Sequence, residues 1–289
     1  MRILLLIDFS WLYNKYYFVA SYSMQEQTEI FKKEHLKERI FNMLQQFFEC
    51  VKRAYSTSKV VIALDSPTKT LNNFKLFEGY KQNRDSEAKK ETYAYLDDIL
   101  VKLIKLLDSK SFSFIKAKGY EADQILAYMV KKFHEKYKVI VFSGDKDLIQ
   151  LTAYSNVFIS DKFEKGNFIV KTDKELFQKF KNSKGEDFTR VSNNKKDILK
   201  YRVLKGDTSD NLSPVFPRIK DKEIVNIIKN YWIDEEELTE ERINDIIDDI
   251  KGDNEILADK LAESKGTWLR NYKIMDLFHV EGIKVKRLL

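Results

Sequence analysis

Short apolar runs that end on aspartate constrain this chain more than any other feature. Ile3-Leu4-Leu5-Leu6-Ile7 stops at Asp8, the run 59–64 stops at Asp65, and 138–142 leads through Ser143 and Gly144 to Asp145 and Asp147. Such runs are too short for buried helices and too continuously apolar for half-exposed strands, so each reads as a strand covered on both faces. Segments 113–116 and 156–159 read as further strands, and 34–54, 88–107 and 122–135 carry apolar residues at the three and four spacing of helices. The pattern predicts an α/β fold, a mostly parallel sheet flanked by helices. In such a sheet the carboxyl ends of the strands face one crevice, so Asp8, Asp65, Asp145 and Asp147 are expected to converge there. Glu121 and Asp123, in the turn Gly119-Tyr120-Glu121-Ala122-Asp123 after the third strand, are expected to join them.

Each acid taken alone has an ordinary explanation. Asp8 and Asp65 suit turns, Asp123 suits the first turn of a helix, and Asp207 and Asp210 in Gly206-Asp207-Thr208-Ser209-Asp210-Asn211 suit an Asx turn or a cap. Gathered in one crevice, they would repel one another and raise each other's pKa unless a cation compensates. Three histidines and one cysteine leave little from which to build a zinc site. Oxygen ligands and a hard divalent ion such as Mg2+ are therefore expected, and two such ions together activate a water and stabilise a leaving oxygen. The absence of a Ser-His-Asp or Cys-His constellation agrees with chemistry that needs no side-chain nucleophile.

Lys and Arg number 51 against 45 Asp and Glu, a net charge of +6 that favours an anionic partner only where the positive charge is segregated. Segment 69–90 offers such a place: Lys69, Lys75, Lys81, Arg84, Lys89 and Lys90 alternate with Phe74, Phe77 and Tyr80. Basic groups that track phosphate beside rings that stack on bases suit single-stranded nucleic acid, while a solvated loop with rings tucked inward fits the composition equally. The opening apolar run is too short to span a membrane. Cys50, among Phe47, Phe48 and Val51, is expected to be buried, and a disulfide framework is excluded. Beyond residue 181 the pattern becomes helical with no convincing strand, and the acidic stretch 234–249 reads as a solvated helix face.

Leu6-Ile7-Asp8, Ala63-Leu64-Asp65, Tyr80-Lys81-Gln82-Asn83-Arg84, the Glu121 and Asp123 turn, Ser143-Gly144-Asp145-Lys146-Asp147 and the Asp207 and Asp210 turn follow one another in a specific order and spacing. Together they resemble the 5′-nuclease family: flap endonucleases, the 5′-exonuclease domains of bacterial DNA polymerases, and bacteriophage 5′-exonucleases and RNase H enzymes. The resemblance covers most of the first 215 residues and is strongest to the phage enzymes. It implies a PIN-like nuclease core over 1–183 with an arch or clamp at about 66–95. A helical subdomain over 184–289 would follow, with a helix-three-turn-helix that grips duplex DNA.

The resemblance further implies that Asp8, Asp65, Asp123 and Asp145 hold a first Mg2+. Asp147, Asp207 and Asp210 would hold a second, Glu121 would serve either, and Mn2+ would substitute. Lys81 and Arg84 would neutralise the scissile phosphate and Tyr80 would stack on a base; Lys69, Lys75, Arg218, Lys220 and Lys222 would contact phosphate. The implied activity is 5′-3′ exonuclease and flap endonuclease cleavage of branched, nicked or RNA-primed DNA, with RNA–DNA hybrid as a further substrate and 5′-phosphate and 3′-hydroxyl products. The implied setting is replication in the cytoplasm of a phage-infected cell, as a monomer without a membrane partner. Segment 252–289 is expected either to complete the helical region or to contact a replication protein.

Two departures stand out. Gln124 occupies a position where the family often has a second aspartate, and 212–220 lacks the glycines of a family hairpin, leaving Arg218, Lys220 and Lys222 to meet phosphate directly. Two rival functions share these residues. One is a structure-specific DNA-binding protein that no longer cuts. The other is a phosphatase with an aspartate nucleophile, which would place a second aspartate where Ser10 stands.

Overall fold

The computed structural model describes residues 2–66, 71–83, 86–107, 110–177, 194–233, 237–278, 280 and 282–288. The chain runs β1 (Arg2–Asp8), α1 (Phe9–Ser23), α2 (Glu29–Ala54), β2 (Lys59–Ala63), α3 (Leu71–Leu76), α4 (Ser86–Tyr93), α5 (Leu96–Leu106), β3 (Phe112–Lys116), α6 (Ala122–Phe133) and β4 (Tyr137–Phe142). A 3-10 helix (Asp147–Ala153) follows, then β5 (Val157–Glu164), β6 (Asn167–Val170), α7 (Asp173–Phe177), α8 (Asp197–Lys205), α9 (Asp221–Asn230), α10 (Glu240–Asp253), α11 (Glu255–Glu263), α12 (Lys265–Met275) and β7 (Lys286–Arg287).

The strands form one seven-stranded sheet in the order β6-β5-β4-β1-β2-β3-β7. The inner five pair in parallel, and an antiparallel strand closes each edge. Alternate side chains enter two separate cores. Leu5, Ile7, Ile62, Phe114 and Phe142 pack under α1, α2 and α5, whereas Leu4, Leu6, Val61, Val139 and Val141 pack under α6 and the helices after residue 197. Burial on both faces explains why the strands read as continuous apolar runs.

From β1 the chain winds through β2 to β3, then crosses back to β4 on the other side of β1. The direction of winding reverses between β1 and β4. A crevice is expected at the carboxyl ends of the strands at such a switch point, and Asp8 and Asp145 flank it.

The expected helix over 88–107 is two helices. Tyr13 Oη donates to Thr92 O at 2.7 Å, Asn14 Nδ2 donates to Tyr93 Oη at 2.9 Å, and the Tyr13 and Tyr93 rings stack at 5.9 Å. These side chains of α1 take up the end of α4, and the helix restarts at Leu96. Two strands escaped the sequence. β6 follows a two-residue hairpin in which Lys165 and Gly166 both have positive φ, and β7 contradicts the expectation of no strand beyond residue 181. The polar run 182–187 lies outside the described residues. Cys50 is only half-buried, with Arg53 Nη2 donating to its sulfur at 3.3 Å.

Helices α8 to α12 form a helical subdomain joined to the second core. In α10, Ile243, Ile246, Ile247 and Ile250 face inward while Asp245, Asp248 and Asp249 are exposed, which is the solvated face expected for 240–249; of the rest of the acidic stretch, 237–239 precede the helix and 234–236 lie outside the described residues. Asn271, fully buried, donates to Val203 O at 3.0 Å and Ser213 O at 2.8 Å. Gln150 donates to Met275 O at 3.0 Å and accepts from Leu277 N at 3.1 Å, and Leu288 N donates to Phe114 O at 2.9 Å. Segment 252–289 therefore completes the helical region and returns to the sheet. Among the described residues no helix is long and apolar enough to cross a membrane.

Gly206 ends α8 at φ 73° and ψ −179°, a conformation nearly confined to glycine, and an added Cβ would approach Leu212 O to 2.5 Å. The turn it permits lets Asp207 and Leu212 exchange backbone hydrogen bonds of 2.9 and 2.8 Å. Gly206→Ala is expected to destabilise the protein by about 2 kcal/mol or more in urea denaturation. An unchanged midpoint would show that the turn relaxes freely.

Candidate active site

Asp8 is the last residue of β1 and the N-cap of α1. Its Oδ1 accepts from Trp11 N at 3.0 Å and its Oδ2 from Ser143 Oγ at 2.9 Å. Asp65, after β2, accepts from Ser10 Oγ at 2.6 Å and from Ala122 N at 2.8 Å, which ties β2 to the start of α6. Asp145 is exposed at the lip; its amide donates to Ser143 Oγ at 3.1 Å and its Oδ1 accepts from Asp147 N at 2.9 Å. Gly144 is required beside it, because a Cβ there would meet Trp11 Nε1 at 2.3 Å.

The electrostatics show that these acids share one region. Burial, then the charges of Asp65 and Asp145, push Asp8 up from 3.8 to about 7 against the hydrogen bonds of Trp11 and Ser143. Burial and the neighbouring Glu121, Asp145 and Asp147 raise Asp123, with Lys81 opposing. Asp8 takes its hydrogen bonds from an amide and a hydroxyl, Ser10 and Ala122 are among the donors to Asp65, and Lys81 is the cation that acts on Asp123.

Around the second group stand cations. Arg202, buried on α8, donates through Nη1 to Asp147 and through Nη2 to Asp207. Burial works against its charge, yet Asp147 and Asp207 hold its pKa above the usual value. Its two partners respond oppositely. Burial and Asp145 carry Asp147 up to about 6 despite Arg202. Asp207 resists burial and falls to about 2, because Ser209 donates both its hydroxyl (2.6 Å) and its amide (2.9 Å), with Arg202 and Lys146 adding positive charge.

Lys81 donates to both oxygens of Glu121, at 2.8 and 2.7 Å, and stands 3.8 Å from Asp210. Its amide donates to Asp210 O at 3.0 Å and its φ is 57°. Asn83 Nδ2 to Thr208 O (2.6 Å) and Asn211 Nδ2 to Gly79 O (2.8 Å) complete the seam between the two loops. Gln124, the departure from the family pattern, accepts from Glu121 N at 3.1 Å and so caps α6.

Tyr80 corrects an expectation. It is 6% exposed and its hydroxyl donates to Glu121 at 3.1 Å and Asp210 at 3.3 Å, so the ring supports the acids and is closed off from a base. Burial, Glu121 and Asp210 all raise its pKa. Tyr80, Asp123, Asp147 and Asp210 line one small cavity against Ile274, Met275 and Leu277. Lys75, Arg218, Lys220 and Lys222 are exposed, the last three around the start of α9. Lys69 and Arg84 lie outside the described residues.

A family model described as 5′-3′ exonuclease, N-terminal resolvase-like domain, matches residues 3–181. The chain belongs to the 5′-3′ exonuclease family. A 5′-3′ exonuclease of Buchnera aphidicola subsp. Schizaphis graminum is 26% identical over 286 residues, which cover 98% of this chain and 86% of the relative. One from Aquifex aeolicus is 28% identical over 193 residues, covering 66% of this chain and 59% of that protein, so the match spans less than two thirds of the Aquifex enzyme. Among solved structures, T5 5′-exonuclease with bound zinc superposes with a TM-score of 0.62 at 19% identity, covering 96% of this chain and 90% of the other. The bacteriophage T5 flap endonuclease in a complex with DNA and metal ions gives 0.60 at 19% identity, with the same coverage. At these identities the likeness shows the fold.

Sequence reasoning missed Arg202, Ser10 and Ser143. Ser143 lies within the Asp145 motif, whereas Arg202 looks like any helix-surface cation until the fold buries it.

Among the described residues no three acidic, histidine or cysteine side chains stand close enough together to hold a metal ion as they are placed. The first group nevertheless fits a hard divalent ion by donor chemistry, since its side chains are all oxygen donors, and burial, with neighbouring carboxylates adding to it, raises Asp8 and Asp123. Asp8 prefers its neutral form only in the fold, so its contribution to stability is complete below about pH 4 and is lost as pH rises through about 7. In chelator the protein is expected to melt at a lower temperature near pH 8 than near pH 5. Asp8→Asn, which keeps the cap acceptor, should recover on the order of 2 kcal/mol at the higher pH. A pH-independent melting temperature would remove Asp8 from this role.

Proposed function

We propose that this protein is a divalent-metal-dependent 5′-3′ exonuclease and flap endonuclease that hydrolyses phosphodiester bonds near the 5′ end of DNA carrying a flap, nick or free end. The reading rests on one observation: Asp8, Asp65, Asp123 and Asp145 gather at the switch point of the sheet, near enough for Asp65 and Asp145 to add repulsion to burial at Asp8 and for Asp145 to do so at Asp123, in a chain of the 5′-3′ exonuclease family. A non-cutting DNA-binding scaffold would have no use for that repulsion.

Asp8, Asp65, Asp123 and Asp145 would hold Mg2+, for which Mn2+ substitutes, and Glu121 borders the same ground. The chemistry such an ion supplies is Lewis acidity at the phosphate and activation of water. Ser10 and Ser143 fix the rotamers of Asp65 and Asp8, and the Ala122 amide holds Asp65 against α6. Asp145, exposed at the lip, is the acid best placed to meet incoming substrate. Lys81 delivers positive charge to the scissile phosphate by turning from Glu121, Arg84 has the same role, and the products are a 5′-phosphate and a 3′-hydroxyl. Lys69, Lys75, Arg218, Lys220 and Lys222 track the backbone of the strand and its duplex. RNA–DNA hybrid enters the same way, which suits primer removal in replication in the cytoplasm of a phage-infected cell, by a monomer. Residues 1–183 act as the nuclease core, with the arch at about 66–95, and 184–289 as the DNA-gripping subdomain.

Asp145→Asn is expected to slow cleavage of a 5′-labelled flap in Mg2+ by about 100-fold or more while flap affinity in chelator stays within a small factor. Substantial residual cutting would sink the assignment. For Lys81→Ala, single-turnover rate should fall much further than affinity; equal losses would reduce Lys81 to a binding contact.

A further inference from the structure

The two groups of carboxylates are balanced by different means. Asp8 takes its hydrogen bonds from the Trp11 amide and the Ser143 hydroxyl, and Ser10 and the Ala122 amide are among the donors to Asp65. Around Glu121, Asp147, Asp207 and Asp210, three cationic side chains, Lys81, Lys146 and Arg202, face four carboxylates. The family resemblance gave Asp147, Asp207 and Asp210 to a second metal ion, and the residues present do not fit it.

Arg202 is the reason. Its guanidinium lies between Asp147 and Asp207 with one nitrogen on each, where an ion bridging them would have to sit. It cannot lose its charge at any pH the fold survives. The backbone that carries it is fixed, since α8 packs on α9 and α12 and the carbonyl of Arg202 accepts from Gly206 N at 2.8 Å. Asp207 has little left to offer: Oδ1 takes both donors of Ser209, and Oδ2 takes Arg202 with Lys146 at 3.3 Å. Asp210 faces Tyr80 and Lys81.

We infer that Arg202 stands in place of a second metal ion, so that the protein binds one divalent ion per chain, at Asp8, Asp65, Asp123 and Asp145. This rests on the reading of that first group as an ion site. Asp147 and Asp207 then serve as positioning residues: they hold α8 and the loop after Gly206 against the 3-10 helix, and they keep the fixed charge of Arg202 within reach of Asp145 in the first group.

The test is a Mn2+ titration of the full chain, counting ions by electron paramagnetic resonance and by calorimetry. Wild type is expected to bind one ion. Asp207→Asn, which preserves shape, should leave both the count and the affinity unchanged, and Arg202→Gln should admit a second ion. Where Arg202→Gln fails to fold, the wild-type count and Asp207→Asn decide alone. Two ions on wild type, with one lost in Asp207→Asn, would overturn the inference and leave the first site standing. No bound ion on wild type would overturn both.

Discussion

Like charges crowded at the carboxyl ends of β1, β2 and β4 are the constraint on which the rest of this molecule depends. Carboxylates in a partly buried crevice repel strongly, and a fold that gathers them must neutralise them or leave them protonated. Both outcomes are visible. Asp8 and Asp123 drift toward the neutral form, whereas Asp207 is held firmly ionised by the donors around it. Loops that look peripheral turn out to be arranged around this charge. The left-handed turn at Lys81 aims an ammonium at Glu121, and the turn after Gly206 delivers Asp207 and Asp210 to waiting cations.

The imbalance is also a division of labour. A crevice fully satisfied by its own side chains would have no appetite for an ion or a phosphate; one wholly unsatisfied would strain the fold. Here the half built on the sheet and α6 holds Asp8 and Asp123, drawn toward the neutral form, and the half built on the helical subdomain holds Asp207, kept ionised by Ser209, Arg202 and Lys146. The polar contacts that cross between the two halves, through Arg202, Lys81 and Gln150, are therefore structural as well as electrostatic.

Much of this was legible in the sequence because strands and their terminal acids are local patterns. A run such as Ile3 to Ile7 closed by Asp8 states its own burial, direction and address, and five such strands fix a switch point. What stayed hidden depends on contacts between distant residues. Arg202 meets Asp147 across 55 positions, and no spacing announces it. Tyr80 sits among basic residues and reads as a stacking ring, yet the same hydroxyl that makes it amphipathic anchors it between Glu121 and Asp210. The break between α4 and α5 was invisible because apolar periodicity runs through it, and only Tyr13 and Asn14 on another helix end the first segment. β7, made of Lys286 and Arg287, has no apolar pattern at all; it is a strand only because β3 offers an edge.

That short strand alters how the molecule comes apart. Helices α8 to α12 leave the sheet beyond β6 on one edge and return to it through β7 on the opposite edge, with Leu288 fastened to Phe114. They form a closed span anchored at both margins of the same sheet, not an appendage on a tether. Swinging them outward requires stripping an edge strand, so the helical layer and the sheet are coupled into one melting unit.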